Sequence, residues 1–236
     1  MKSFKILLFN ISYCLGFDGS IWQYVLHFYR YFFCSKKIQR RVLNELALLM
    51  KKTNPDLCCL IEIESHQLEK HGYSFYDAAT KYGKKSILPL IPFFKGKCNG
   101  FLSKKNIPFQ KHYLTRGGKK LVYELFLPGN LSVFLVHLSL SSKMRKKQFE
   151  ELGHFVHNKK VIICGDFNIW KGIRELDDFL RMHDLKMMGY PTFPAHRPKK
   201  ILDVFVYSRN LDVKKITVFK EVKISDHLPV LLKISL

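Results

Sequence analysis

The chain has 236 residues, enough for one large α/β domain with a full core. Hydrophobic residues make up 47% and charged residues 25%, as in ordinary globular proteins, and no apolar run approaches the ~20 residues that span a bilayer. Forty Lys and Arg face nineteen Asp and Glu; the formal charge of +21 draws polyanions such as nucleic acid or anionic lipid, unless it only reflects a lysine-rich host proteome.

The chain opens on "FKILLFN", which predicts a first strand. A secretory leader fits less well: Asn10 and Ser12 interrupt the apolar run, and no small-x-small cleavage pattern follows. Next comes "SIWQYVLHFYRYFFC" (20–34), dense in aromatics. Trp22, Val25, Leu26, Tyr29 and Phe33 share a helical face, and Tyr24, Phe28, Tyr31 and Phe32 crowd the other. That pattern predicts a helix buried on two sides. The alternative is an interfacial helix touching membrane or lipid, rimmed by Arg30, Lys36 and Lys37.

"KIQRRVLNELALLMKKTNPD" then places Ile38, Val42, Leu46 and Leu49 on one stripe of a helix that Pro55 stops. Strand-like runs follow: "DLCCLIEI", "NGFLSKK", "KLVYELFL", "LSVFLVHLSL", "KVIICGDF", "ILDVFVYS" and "LPVLLKISL". Several are apolar throughout, which implies sheets covered on both faces. "SSKMRKKQFEELGHFVHN" and "GIRELDDFLRMHDL" read as helices between them. The expected fold is α/β: a two-sheet mixed β-sandwich flanked by helices, one domain over 1–236 with no repeat or linker.

Six cysteines (14, 34, 58, 59, 98 and 164) form no CxxC pair. Three lie in apolar runs, where cysteine behaves as a small hydrophobe. They read as reduced thiols of a cytosolic-type compartment, and a zinc site is not expected.

The strands end on polar groups. "FKILLFN" ends in Asn10, "DLCCLIEI" delivers Glu62, and "VFLVHL" delivers His137. "VIICGDFN" delivers Asp166 and Asn168, two apart and so on one face of a strand. "ILDVFV" carries Asp203 near its start, and "KISDHLPV" puts Asp226 and His227 before the last strand. One such residue is a satisfied core polar group; eight argue for a common pocket at one sheet edge. They suit metal-assisted phosphodiester cleavage, which needs a cation, an activated water and donors for developing charge. Mg²⁺ prefers oxygen ligands and often uses only one or two carboxylates, with Glu62 the best candidate here. Pairing with Asp203 would fix the tautomer of His227 and favour its imidazolium.

The ordered blocks "LLFN", "PDLCCLIEI", "NGFLSKK", "VHLSL", "GDFN", "LDVFVYS" and "SDHLPV" resemble the endonuclease/exonuclease/phosphatase superfamily over nearly the whole chain. "HLSLSSKMRKKQ" and "TFPAHRPKKILD" resemble a prokaryotic branch of it. The resemblance implies a deoxyribonuclease-like four-layer αββα fold and a Mg²⁺-dependent hydrolase, with Mn²⁺ as a substitute. It implies that Glu62 binds the metal, with Asn10 close to metal and phosphate and Asp226 supporting the metal or His227. Asp166 would orient or deprotonate the attacking water, and Asn168 would help hold it. His227, oriented by Asp203, would contact a phosphoryl oxygen, with His137 on the other side. Either Asp166 or the His227–Asp203 pair could be the base.

There are departures. Ile61 stands where the family usually has Gln, Lys104 where it often has Arg, and His137 where abasic-site endonucleases carry Tyr. Glu64 is a second ligand or, more simply, a solvated loop acid. Asn99 reads equally as a phosphate contact or a turn residue. Arg145 reads as structural before phosphate-binding, and Gln148 as capping or solvent-facing. Lys119, Lys120, Lys199 and Lys200 read as surface charges, although Lys199 and Lys200 immediately precede the Asp203 strand and could line the cleft. His112, His154 and His183 show no metal spacing.

The substrate leans slightly to nucleic acid on charge. Against it stand the "HLSL" histidine block, which resembles the sphingomyelinase and phosphoinositide-phosphatase side of the family, and the aromatic segment. The expected protein is a cytoplasmic monomer, with peripheral membrane contact through 20–34 as the alternative. A non-catalytic binding protein is a third reading, and the intact residue set argues against it.

Overall fold

The computed structural model describes residues 3–68, 72–83, 86–91 and 94–236. Strands are β1 (Ser3–Asn10), β2 (Leu57–Glu64), β3 (Phe75–Thr80), β4 (Lys97–Ser103), β5 (Phe109–Tyr113) and β6 (Leu121–Leu127). They continue with β7 (Leu131–His137), β8 (Lys160–Asp166), β9 (Leu185–Gly189), β10 (Asp203–Ser208), β11 (Val213–Val218) and β12 (Val230–Ser235). Two six-stranded sheets result, ordered β11-β12-β1-β2-β4-β3 and β5-β6-β7-β8-β10-β9.

Both are mixed sheets. The parallel pair β1–β2 is joined through α2 (Lys36–Thr53), and the parallel pair β7–β8 through α3 (Ser142–Val156). Alternation sorts each apolar strand between two layers. In β1, Ile6 and Leu8 face the core between the sheets, while Leu7 and Phe9 face α2. In β8, Ile162 and Cys164 face the same central core, and Val161 and Ile163 face α3 and α4 (Asp177–Met182). Covering both faces explains the unbroken apolar runs, and the four layers are those expected.

Helix α2 begins at Ser35, whose hydroxyl accepts the Ile38 amide at 3.4 Å, and ends at Asn54 in a left-handed conformation before Pro55. Val42, Leu46 and Leu49 of its expected stripe are buried. The segment "GIRELDDFLRMHDL" forms a 3-10 turn, Ile173–Leu176, followed by the short α4. All six cysteines are free.

One expectation fails outright. Segment 20–34 is not a helix buried on two sides. It forms α1 (Ile21–Leu26) and a 3-10 turn, Phe28–Tyr31, and neither contains a buried residue. Tyr24 and Tyr31 pack on buried Phe17, while Trp22 and Phe33 are 74% and 82% exposed. The segment lies outside the αββα layers, so nothing covers its second face among the described residues.

Candidate active site

Parallel pairing brings the C-terminal ends of β1 and β2, and of β7 and β8, to one edge of the sandwich. His137 and Asp166 are register partners across β7 and β8, and Asp203 faces Asp166 across β10. All eight expected residues lie at this edge. Seven are buried, and Glu62 is half-buried.

Local backbone irregularity aims several of them. The β2–β4 register shifts between Leu60 and Ile63, and Glu62 sits in that bulge at φ +54°. Its backbone amide donates to Asn99 Oδ1 at 3.2 Å, so Asn99 pins the bulge. The bulge also breaks simple alternation: Glu64 does not join Glu62. Glu64 caps the turn Ser65–Gln67 and lies 3.6 Å from His66. Asn168, likewise, is not a strand neighbour of Asp166. The strand ends at Asp166, and Asn168 turns back at φ +52° with its amide donating to Asp166 Oδ1 at 3.0 Å. Its side chain donates to the Leu138 carbonyl and accepts from the Trp170 indole, so it braces the loop. Gly165 precedes Asp166 because a Cβ there would lie 1.9 Å from the Val136 carbonyl oxygen.

The charged groups form a chain. Glu62 Oε1 lies 3.9 Å from His137 Nε2, which lies 3.4 Å from Asp166 Oδ2. Asn10 Nδ2 donates to the same Asp166 oxygen at 3.2 Å. His227 Nδ1 lies 2.7 Å from Asp203 Oδ2, and the Thr192 hydroxyl donates to that oxygen at 2.5 Å. Ser225 ties the His227 loop to β1 by donating to the Asn10 carbonyl at 2.7 Å. Asp226 accepts the Tyr24 hydroxyl at 2.6 Å.

Two lysines and a tyrosine complete the cluster, and none was expected there. Lys81 Nζ is buried 3.3 Å from Glu62 Oε1 and bonds the Tyr13 hydroxyl. Tyr13 is aimed by an uncommon turn: Ser12, Tyr13 and Cys14 all take left-handed φ, at about 1–2 kcal/mol each. Lys119 is not a surface charge; its ammonium reaches Nε2 of His137. Gln148 is fully buried rather than capping or solvated, and holds the turn before Lys119 by donating to the Arg116 and Lys119 carbonyls. Arg145 is structural, bonding the Ser139 and Leu140 carbonyls and Glu175. Lys120 is half-buried, and Lys199 and Lys200 are exposed. No residue pattern marks Lys81, Tyr13 or Lys119 in advance.

Electrostatics follow from these contacts. Burial pushes the Glu62 carboxyl up, but Lys81, His137 and Lys119 outweigh it and hold it near a pKa of about 2. Asp166 is held well below the usual carboxylate range: burial opposes ionisation, and His137, His227 and Lys119 override it. Burial and Lys119 push His137 down to about 4, so it is neutral at pH 7 and accepts from Lys119. Burial also works against His227, yet Asp203, Asp166 and Asp226 raise it to about 10. Burial raises Asp203 as well, but the charge of the adjacent imidazolium and the Thr192 hydroxyl favour its carboxylate, which places the proton of the pair on the imidazole.

Among the described residues, no group of three or more His, Cys, Asp and Glu is arranged as a closed metal cage. Mg²⁺ does not need one, because it keeps several waters on one or two carboxylates. The ionised Glu62, partly open to solvent and linked through His137 to the carboxylate of Asp166, offers hard oxygen donors of the kind a divalent cation such as Mg²⁺ takes.

Solved structures with this fold include a conserved protein of unknown function from Enterococcus faecalis, at TM-score 0.69 and 15% identity, covering 98% of this chain and 99% of that one. A mannosyl-6-phosphatase of Bacteroides thetaiotaomicron matches at TM-score 0.69 and 14% identity, covering 99% and 100%. A humanized D. rerio TDP2 matches at TM-score 0.63 and 13% identity, covering 99% of each chain. No curated protein matches the sequence. The model of the Endonuclease/Exonuclease/phosphatase family, whose members are hydrolases of phosphate esters and generally use divalent metal ions, matches residues 33–227. Most of the chain lies within that match, and the chain belongs to this family.

Proposed function

We propose that the protein is a divalent-metal-dependent phosphodiesterase using water as the nucleophile. The convergence of Glu62, His137, Asp166 and the Asp203–His227 pair at one sandwich edge carries this reading. A cation such as Mg²⁺ held by Glu62, with Asn10 and Asp226 beside it, would neutralise charge on the phosphoryl oxygens. Asp166, ionised and tethered by Asn10, orients the water and takes its proton as the water oxygen bonds phosphorus. The leaving oxygen departs as its bond to phosphorus breaks, and takes a proton from solvent. His227 is already protonated, so it acts as a donor to a phosphoryl oxygen rather than as the base. On the opposite side His137 is neutral, and Lys119, lowered by burial but favoured as a cation by Glu62 and Asp166, would be the donor to the phosphate.

The net charge supports nucleic acid, but that charge is spread along the chain. The exposed aromatic segment is tied to the site itself, through Tyr24 and Asp226. That favours a phospholipid-type phosphodiester. One structural neighbour is a mannosyl-6-phosphatase, so a phosphomonoester belongs in the same substrate panel.

The test is hydrolysis of bis(p-nitrophenyl) phosphate with Mg²⁺ or Mn²⁺. Glu62→Ala and His227→Ala should each lower turnover by a factor on the order of 10² or more. Equal rates for the parent and Asp166→Ala would instead favour a non-catalytic binding protein. Sphingomyelin, duplex and single-stranded DNA, RNA and inositol phosphates at two salt concentrations rank the substrate classes.

A further inference from the structure

We infer that the surface built by residues 21–33 docks on an anionic lipid bilayer and sets the cleft mouth against it. The docking stands alone; delivery of lipid phosphodiesters to the cleft rests on the phosphodiesterase reading.

The segment is inside-out. Ile21, Trp22, Val25 and Leu26 point to solvent, followed by Phe28 and Phe33, each 59–82% exposed. The polar side chains of the same segment point inward. Gln23 accepts the Asp18 amide at 2.9 Å, Tyr24 donates to Asp226, and Arg30 donates to the Leu15 carbonyl at 3.3 Å. Water alone favours the reverse arrangement, and contiguous apolar surface of this kind marks a contact with something apolar.

Charge selects the occupant. Residues 19–44 contain no Asp or Glu. Lys36, Lys37, Arg40 and Arg41 at the start of α2, which follows the apolar segment directly in the chain, are exposed. Trp and Tyr with a basic rim suit the interface of a bilayer with acidic headgroups. A second copy of the chain would bring two basic rims together. Single-stranded nucleic acid would stack on the aromatics but leave Ile21, Val25 and Leu26 wet. Among the described residues no helix is long and apolar enough to cross a membrane, so the segment lies on the surface. Asp226 holds the inward-pointing Tyr24 and belongs to the site, so the segment that carries the docking face is anchored beside the cleft.

The experiment is flotation of the full chain with phosphatidylcholine vesicles, with and without phosphatidylserine. The parent should float with the anionic vesicles, and less so at high salt. Trp22→Ser/Phe33→Ser should cut binding about tenfold or more, with bis(p-nitrophenyl) phosphate hydrolysis unchanged as proof of the fold. Lys37→Glu/Arg40→Glu should cut binding to anionic vesicles by about fivefold per residue. Glu62→Ala should float like the parent while losing hydrolysis, which separates docking from chemistry. A parent that binds neither vesicle type, or apolar variants that float undiminished, overturns the inference. So does loss of self-association or of single-strand binding, rather than of flotation, in those variants.

Discussion

Lys119 hydrogen-bonds Nε2 of the neutral His137 within the cleft, and Gln148 holds the turn that delivers it. Burial lowers the Lys119 pKa while Glu62, Asp166 and Asp226 raise it, and we propose that Lys119 rather than His137 is the cation on that side of the site. Lys119→Met should lower kcat by a factor on the order of 10², and Lys119→Arg should recover part of the loss. Steady-state hydrolysis of bis(p-nitrophenyl) phosphate checks this, with half-buried Lys120→Met as a control at the parental rate. A parental rate for Lys119→Met would return the role to His137.

Asn99 holds the Glu62 amide, and so the bulge that presents the carboxylate. Asn99→Ala should raise the Mg²⁺ concentration for half-maximal activity by about 10–100-fold. The rate at saturating metal should change much less. A metal titration of activity reads both, and an unmoved titration would reduce Asn99 to a strand residue.

Asp203 is the main source of the raised His227 pKa, working against burial. A raised pKa keeps the imidazolium through neutral pH and loses it as pH rises through about 10. Activity should therefore fall on the alkaline side near that value. In Asp203→Asn the fall should move down toward the ordinary histidine value of about 6.5. A pH profile of kcat/KM shows the shift; identical alkaline limbs would mean that His227 is not the donor.

Far from the cleft, buried Glu124 accepts Lys159 at 2.6 Å and Ser132 at 2.9 Å, and lies 2.8 Å from His112. Burial pushes its carboxyl up, but these partners outweigh it and hold it low. Its stabilisation is complete above the unfolded value of about 4.3 and is lost as pH falls through the lower folded value. Glu124→Gln should cost about 1–3 kcal/mol at neutral pH, and less at acid pH as the folded carboxyl takes up its proton. Urea melts at both pH values test this; an equal gap at both would show that charge is not involved.

The eight strands expected from the sequence are the eight interior strands of the two sheets. The four not expected, β3, β5, β9 and β11, are the four edges. An edge strand carries no continuous apolar run; Phe75 and Tyr76 of β3 face water, and so do Lys214 and Lys215 of β11. The acids and histidines of the site were legible because each interrupts or ends a buried run. Lys81 and Lys119 were not, because a lysine in a loop reads as solvated until the fold turns it inward. The aromatic segment misled for a related reason: helical periodicity shows which residues share a face, but not which face meets the protein.

The last loop, with Ser225 bonded to Asn10, has a consequence for the protein's synthesis. Residues 225–227 must fold back beside the first strand, so the imidazolium is the final part of the cleft to emerge from the ribosome. Until then Asp203 has Thr192 but not the imidazole it pairs with, and Asp166 faces an unfinished wall. On the proposed mechanism the growing chain is thereby inert toward the phosphodiesters around it, and hydrolysis switches on only as the sheet closes.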